Sequence, residues 1–210
     1  MIEEVLKFQK NQTMQKDFER FPFTLKNESC KSFLTKAYMK EAGIDTLDGY
    51  AEEHISQVVD WLTSSDKWGV MLMGTVGNGK TTMMNATVCL LQTAYANSRS
   101  KDGIKMTSKT FNEPAKNITN AARKGQDLYE GWITICAIDD LGEEPKEVLS
   151  YGNAITPVVD ILEDRYRKRE ITLITTNLDA DGIKEKYGVR VADRLREMMM
   201  IIPFTNPSYR

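Results

Sequence analysis

A chain of 210 residues, 41% hydrophobic and 28% charged, suits one α/β domain with a small appendage, and a core of that size needs neither disulfides nor metals. Its net charge of −2 excludes a broadly basic surface, so any nucleic-acid contact must come from a local patch. No apolar run approaches the roughly 18–20 residues needed to cross a bilayer, and a single histidine, His54, leaves little for His-based metal sites or Ser–His catalysis.

Cys30, Cys89 and Cys136 lie far apart, with no CxxC pair and no secretory signal, which points to a reducing cytoplasm. Cys89 and Cys136 fall in apolar elements and are expected to be buried thiols.

Residues 1–45 are rich in Lys, Glu, Gln and Phe and carry no strand signal. Phe18, Phe21 and Phe23 flank Pro22, which should interrupt a helix there. This stretch reads as a small, partly helical N-terminal extension, either a packing arm or a partner-binding module. Residues 50–63 form an amphipathic pattern with Ile55, Val58, Val59 and Leu62 on one face, and His54 reads as a surface or boundary residue of that helix.

Five apolar strand candidates follow: Gly69–Met73, Ile104–Thr107, Trp132–Ile138, Ile171–Thr175 and Met199–Phe204. Helical patterns at 81–95, 111–124, 154–168 and 189–197 separate them, so the expected architecture is a parallel sheet covered on both faces. Residues 97–103 and 143–153 read as loops. The second leads to a helix that Thr156 should cap, with Pro157 in its first turn.

The segment Gly74, Thr75, Val76, Gly77, Asn78, Gly79, Lys80, Thr81 reads GxxxxGKT, and Thr82 continues it into a helix. An apolar strand precedes it, which is the context that gives this motif its meaning. Glycines let backbone N–H groups curl toward phosphate oxygens, and the helix N-terminus adds its positive end. Lys80 can then reach β- and γ-phosphates, and Thr81 can hold magnesium.

The strand over Ile133–Ile138 ends in Asp139 and Asp140. Acids at the C-terminal tip of a buried strand lie where open α/β sheets bind ligands. Asp139 is placed to coordinate magnesium, mostly through water. Asp140 is placed to polarise an attacking water, with Glu143 and Glu144 as alternatives. The strand Ile171–Thr175 runs on into Thr176 and Asn177, whose amide is the candidate for a polar sensor beside a γ-phosphate. Arg190 and Arg194 follow at helical spacing on one face and could reach a neighbouring subunit's nucleotide.

The ordered strings GTVGNGKT, ICAIDDLGEE, YGN…P…LEDRY, TLITTNL and YGVRVADRL resemble the DnaC/IstB branch of AAA+ ATPases over about residues 50–210. The tail FTNPSYR resembles that of the loaders in this branch. The resemblance implies a P-loop NTPase of the AAA+, ASCE type, with a three-layer α/β/α core and a parallel five-stranded sheet of order 5-1-4-3-2. It places an ATP-binding domain at 46–210, without a full helical lid domain. It also implies ATP and Mg2+ binding, weak hydrolysis alone and assembly with other subunits in an ATP-dependent homo-oligomer. Arg194 takes the place of the arginine finger, with Arg190 as its companion.

The implied activity is DNA replication work: loading a hexameric replicative helicase onto single-stranded DNA. The alternative is an IstB-like transposition helper that binds DNA and recruits a transposase. The stretch that matches the DNA grip of the family is Ser108–Tyr129, with Lys109, Lys116, Arg123 and Lys124 for phosphates and Phe111 either stacked on a base or part of the core.

Overall fold

The computed structural model describes residues 20–100 and 102–210. Phe18 lies outside them. Phe21 and Phe23, on either side of Pro22, stack with centroids 5.7 Å apart and pack edge-on against Trp61 and Tyr95. Helix α1 (Asn27–Ala42) ends at Gly43, whose φ of 66° lets its own N–H and that of Ile44 close on the carbonyls of Lys40 and Met39. It buries Cys30, Leu34 and Tyr38 in the same core as helix α2 (Gly49–Ser64). Asp48 caps α2 by accepting the Ala51 N–H at 2.7 Å.

The chain then alternates: β1 (Gly69–Gly74), α3 (Lys80–Asn97), β2 (Thr110–Pro114), α4 (Ala115–Arg123) and β3 (Ile135–Leu141). A short antiparallel hairpin, β4 (Val148–Ser150) and β5 (Asn153–Ile155), precedes α5 (Pro157–Lys168), β6 (Thr172–Thr176), α6 (Ala180–Tyr187), α7 (Val189–Met198) and β7 (Met199–Phe204).

The sheet is parallel throughout, in the order β2-β3-β6-β1-β7. It differs from the expected 5-1-4-3-2 only in numbering, because the hairpin adds two strands outside the sheet. Alternation along each strand divides the core between two faces. Val70, Leu72, Ala137, Leu173 and Ile202 pack toward α1, α2 and α3. Met71, Cys136, Ile138 and Ile174 pack toward α4, α5, α6 and α7. Three layers result. Among the described residues no helix is long and apolar enough to cross a membrane.

Arg165 on α5 is 0% exposed and ties strand entries together. Its guanidinium donates to the carbonyls of Ile133 (2.7 Å) and Ile171, to the Thr172 hydroxyl (3.1 Å) and to Glu170 (2.5 Å). A longer contact from Nη2 to the Thr134 carbonyl at 3.4 Å meets the fifth donor direction that burial removes from water.

Several expectations need correction. The second strand is not Ile104–Thr107. Ile104 is 68% exposed, and Thr110–Pro114 pairs with β3 instead, Phe111 facing Cys136. The helix expected from 111 starts at Ala115, because Pro114 sits extended at its N-cap. Trp132 is exposed and β3 starts at Ile135 but runs on through both acids. The 143–153 loop contains β4 and leads into β5, and α6, capped by Asp179, was not anticipated. Thr156 precedes α5 without a side-chain cap. Cys89 is exposed. His54 is buried, stacked on Phe204 at 3.7 Å, and burial holds its pKa below the ordinary value.

Candidate nucleotide site

The C-terminal ends of β1, β3 and β6 meet at one edge of the sheet, and the loop from Gly74 to Thr81 crosses it. Two of its glycines are required by geometry. Gly77 and Gly79 have φ of 82° and 92°, a region that side chains disfavour. Gly74 is held by close approach instead, since a Cβ there would lie 2.3 Å from the Phe204 carbonyl oxygen. Asn78 is buried and donates to that same carbonyl at 2.8 Å, so the loop is anchored to the end of β7. Val76 stands exposed at the crown, and Thr82 lines the adjoining cavity.

Lys80, the first residue of α3, is 5% exposed. Its ammonium is surrounded by four oxygens: Thr75 O at 2.6 Å, Gly74 O at 2.9 Å, Asn177 Oδ1 at 2.9 Å and Asn78 Oδ1 at 3.1 Å. Burial lowers its pKa, while the charges of Asp140 and Asp139 act in the opposite direction.

Asp139 Oδ1 accepts from the Thr81 hydroxyl at 3.0 Å and from the Thr175 hydroxyl at 2.5 Å. The register between β3 and β6 slips between Ile138 and Leu141, a bulge that contains both acids. Asp140 adopts φ of 51°, and its N–H leaves the ladder to donate to Thr175 Oγ1 at 2.8 Å. A short polar residue tolerates that conformation, and the strain re-aims the second carboxylate away from the strand direction. Its pKa is raised, first by burial, then by Asp139 and Glu143, with Lys80 and Arg210 opposing.

The two alternatives to Asp140 have separate environments. Glu144 is 3% exposed, accepts the Gly142 N–H at 2.9 Å and accepts a hydrogen bond from the Tyr187 hydroxyl. Burial and this carboxylate together push the Tyr187 pKa far up. Lys186 closes the same turn by donating to the carbonyls of Gly142 and Glu144. Glu144 thus fastens the loop after β3 to α6, whereas Glu143 is exposed and near enough to act on Asp140.

Lys80, Thr81, Asp139, Asp140 and Asn177 therefore converge, as their order in sequence suggests. Thr175, which bridges the two acids, went unnoticed, although it stands within the same polar run as Asn177. The hydroxyl of Thr81 and the carboxylate of Asp139 are hard oxygen donors, suited to a magnesium ion that takes its other ligands from phosphate and water.

No protein-family model and no curated protein matches the sequence. Solved structures do. DnaI is similar over 78% of this chain and 89% of that chain, with TM-score 0.51 and 19% identity. Domain III of the replication initiation protein DnaA from Thermotoga maritima is similar over 80% of this chain and 67% of that one, with TM-score 0.52 and 9% identity. The fold is that of the AAA+ P-loop ATPases. AMPPCP-bound DnaA from Aquifex aeolicus, of which the chain spans 49%, gives TM-score 0.50 at 13% identity over 78% of this chain.

In this AAA+ frame Arg194 lies apart from the Lys80 cluster. It projects from α7 toward α5, where Nη1 is 2.6 Å from Glu163 Oε1 and the guanidinium lies 5.0 Å from the Tyr166 ring centroid. The contact to Glu163 is ionic rather than an aligned hydrogen bond. Arg190 approaches the same carboxylate at 3.6 Å and is largely exposed.

The segment expected to grip DNA divides. Lys116, Arg123 and Lys124 are exposed on α4 and its end. Lys109 donates to the Glu130 carbonyl at 2.7 Å. Phe111 is 5% exposed and packs edge-on against Tyr129, so its ring is core and is withdrawn from base stacking.

Proposed function

We propose that the protein binds ATP with Mg2+ and hydrolyses it as part of DNA replication, in the manner of a helicase loader. The observation that carries the nucleotide reading is the pair of hydrogen bonds, Lys80 to Asn177 and Thr81 to Asp139, by which neighbouring residues of the loop engage the tips of β6 and β3. Loop N–H groups and Lys80 would hold the phosphates, and Thr81 and Asp139 the metal, which supplies charge neutralisation at the terminal phosphate. Asp140 orients and deprotonates the attacking water, and Asn177 holds polar contact with the phosphate end. Arg194 acts on the nucleotide of a neighbouring copy.

The replication assignment is supported by the fold likeness to DnaI and to the initiation protein DnaA, and by the IDDLG, TTNL and GVRVADRL strings. The exposed cations of α4 are the proposed contact with single-stranded DNA, now without Phe111.

The test has two arms. Calorimetry with MgATP on the wild type and Lys80→Ala reads the site: the variant should lose roughly 1.5–3 kcal/mol of binding, and unchanged affinity would reject the assignment. Copurification with the native replicative helicase reads the role, and capture of a transposase instead would transfer the chain to the transposition class.

A further inference from the structure

The turn after β3 is pinned from two sides. From β6, the Thr176 hydroxyl donates to the Leu141 carbonyl at 2.6 Å, and Thr175 Oγ1 accepts the Asp140 N–H at 2.8 Å. Within the turn, the Glu143 N–H donates to the Asp140 carbonyl at 3.1 Å. Leu178, one residue beyond Asn177, packs so closely that a Cβ on Gly142 would lie 2.7 Å from its side chain. From α6, Lys186 Nζ donates to the carbonyls of Gly142 and Glu144, and the Tyr187 hydroxyl donates to Glu144 Oε1.

Glu144 joins the turn to the helix. Its other oxygen accepts the Gly142 N–H at 2.9 Å and stands 3.9 Å from Lys186 Nζ. A carboxylate only 3% exposed is stable only while such partners hold it, so this tie is not a loose surface contact. The turn that it closes begins at Asp140, whose φ of 51° is a conformation that a non-glycine residue keeps where its surroundings impose it. Thr175 fixes the near end of the turn, and Glu144, Lys186 and Tyr187 fix the far end.

We infer that Lys186 and Tyr187, acting through Glu144, are positioning residues for Asp140: they hold the turn after β3 so that the Asp140 carboxylate keeps one orientation at the strand tips. This rests on the reading of Asp140 as the acid that orients the attacking water. The effect is on rate rather than on binding. The phosphate loop is anchored separately, to β7 through Asn78. An acid displaced by about 1 Å, in contrast, can lose up to about 100-fold in rate.

Phosphate release by the full chain as a function of MgATP concentration tests this on the wild type, Tyr187→Phe, Lys186→Met, Asp140→Asn and Ile183→Val. Tyr187→Phe removes one hydroxyl and keeps the buried ring. It should lower kcat about tenfold and leave KM within about twofold, and Lys186→Met should do the same. Ile183→Val removes one carbon from the buried face of the same helix and none of the turn's hydrogen bonds, so both constants should stay within about twofold of the wild type. An unchanged kcat in Tyr187→Phe, a change in KM alone, an equal fall in Ile183→Val, or a Tyr187→Phe chain that no longer folds would each make the network a structural one and overturn the inference. Asp140→Asn separates the two readings. If it is inactive while Tyr187→Phe is fully active, only the positioning role falls. If it is as active as the wild type, the reading of Asp140 fails and the positioning role fails with it.

Discussion

Lys80 Nζ and Asn177 Oδ1 are 2.9 Å apart, a hydrogen bond that links the first residue of α3 to the end of β6. Whatever the ammonium holds is therefore within reach of the Asn177 amide. Asn177→Ala should keep ATP binding and lose about 100-fold in turnover, the scale for one preorganised polar group at a developing charge. Phosphate release at saturating ATP measures it, and normal turnover would remove Asn177 from the reaction.

Asp140→Asn should bind ATP and fail to hydrolyse it. The active form is the carboxylate, and its pKa lies above the ordinary 3.8, through burial and then the neighbouring Asp139 and Glu143. Turnover should accordingly fall as pH drops through that raised value, with the acid limb of the rate profile displaced upward. A fully active Asp140→Asn variant would pass the role to Glu143, because Glu144 is engaged with Tyr187 and Gly142.

Arg194 pairs with Glu163 inside its own chain, at a partly exposed site where such a pair is worth about 0.2–1 kcal/mol. That cost is small beside a contact to a terminal phosphate, so on the proposed reading the arginine would exchange partners on docking of a second subunit. Arg194→Ala should fold normally and bind ATP, yet lose ATP-dependent assembly. Mixed with Asp140→Asn, it should regain hydrolysis at shared sites. A mixture no more active than its parts, with only monomers by light scattering, would falsify the trans arrangement.

Arg165→Met should lower stability by about 3–5 kcal/mol, since it leaves Glu170 and the carbonyls of Ile133 and Ile171 without their donor. Urea denaturation would show this as a lower midpoint at unchanged slope. A midpoint within error of the wild type would mean that water replaces the guanidinium.

His54 gives a pH test of the core. Its folded pKa is lowered by burial from 6.5, so below about that pH the unfolded chain takes up a proton that the folded chain refuses. Stability should be full above 6.5 and decline as pH falls through it toward the lower folded value. His54→Phe should flatten that decline in denaturation midpoints between pH 7.5 and 5.5, chosen as roughly one unit either side of the reference value. An unchanged slope would show that His54 is hydrated or charged in the fold.

The readable parts of the sequence were those where one local rule decides the outcome. GxxxxGKT needs only its own glycines and the strand and helix beside it. The acids after Ile138 need only a buried strand to end at the ligand edge. Residues 104–114 resisted because the apolar Ile104 competes with Phe111 for the strand, and only pairing with Cys136 on β3 settles which of them is inside. Thr175 and Asn206 were illegible for a related reason: each acts through partners tens of residues away, Asp139 and Asn78, that no sequence spacing connects.

The Arg165 clamp has a further effect, on where the molecule can move. It stitches the entry ends of β3 and β6 to α5, while the opposite ends of those strands carry the loops. Amide protons near Ile135 and Leu173 should exchange with solvent only when the whole domain opens, whereas those of Gly77 and Gly142 should exchange through local fluctuation. The sheet then behaves as a blade held in a vice at one end. A displacement set off at its free end should then be taken up by the tail and α6 rather than by the strands.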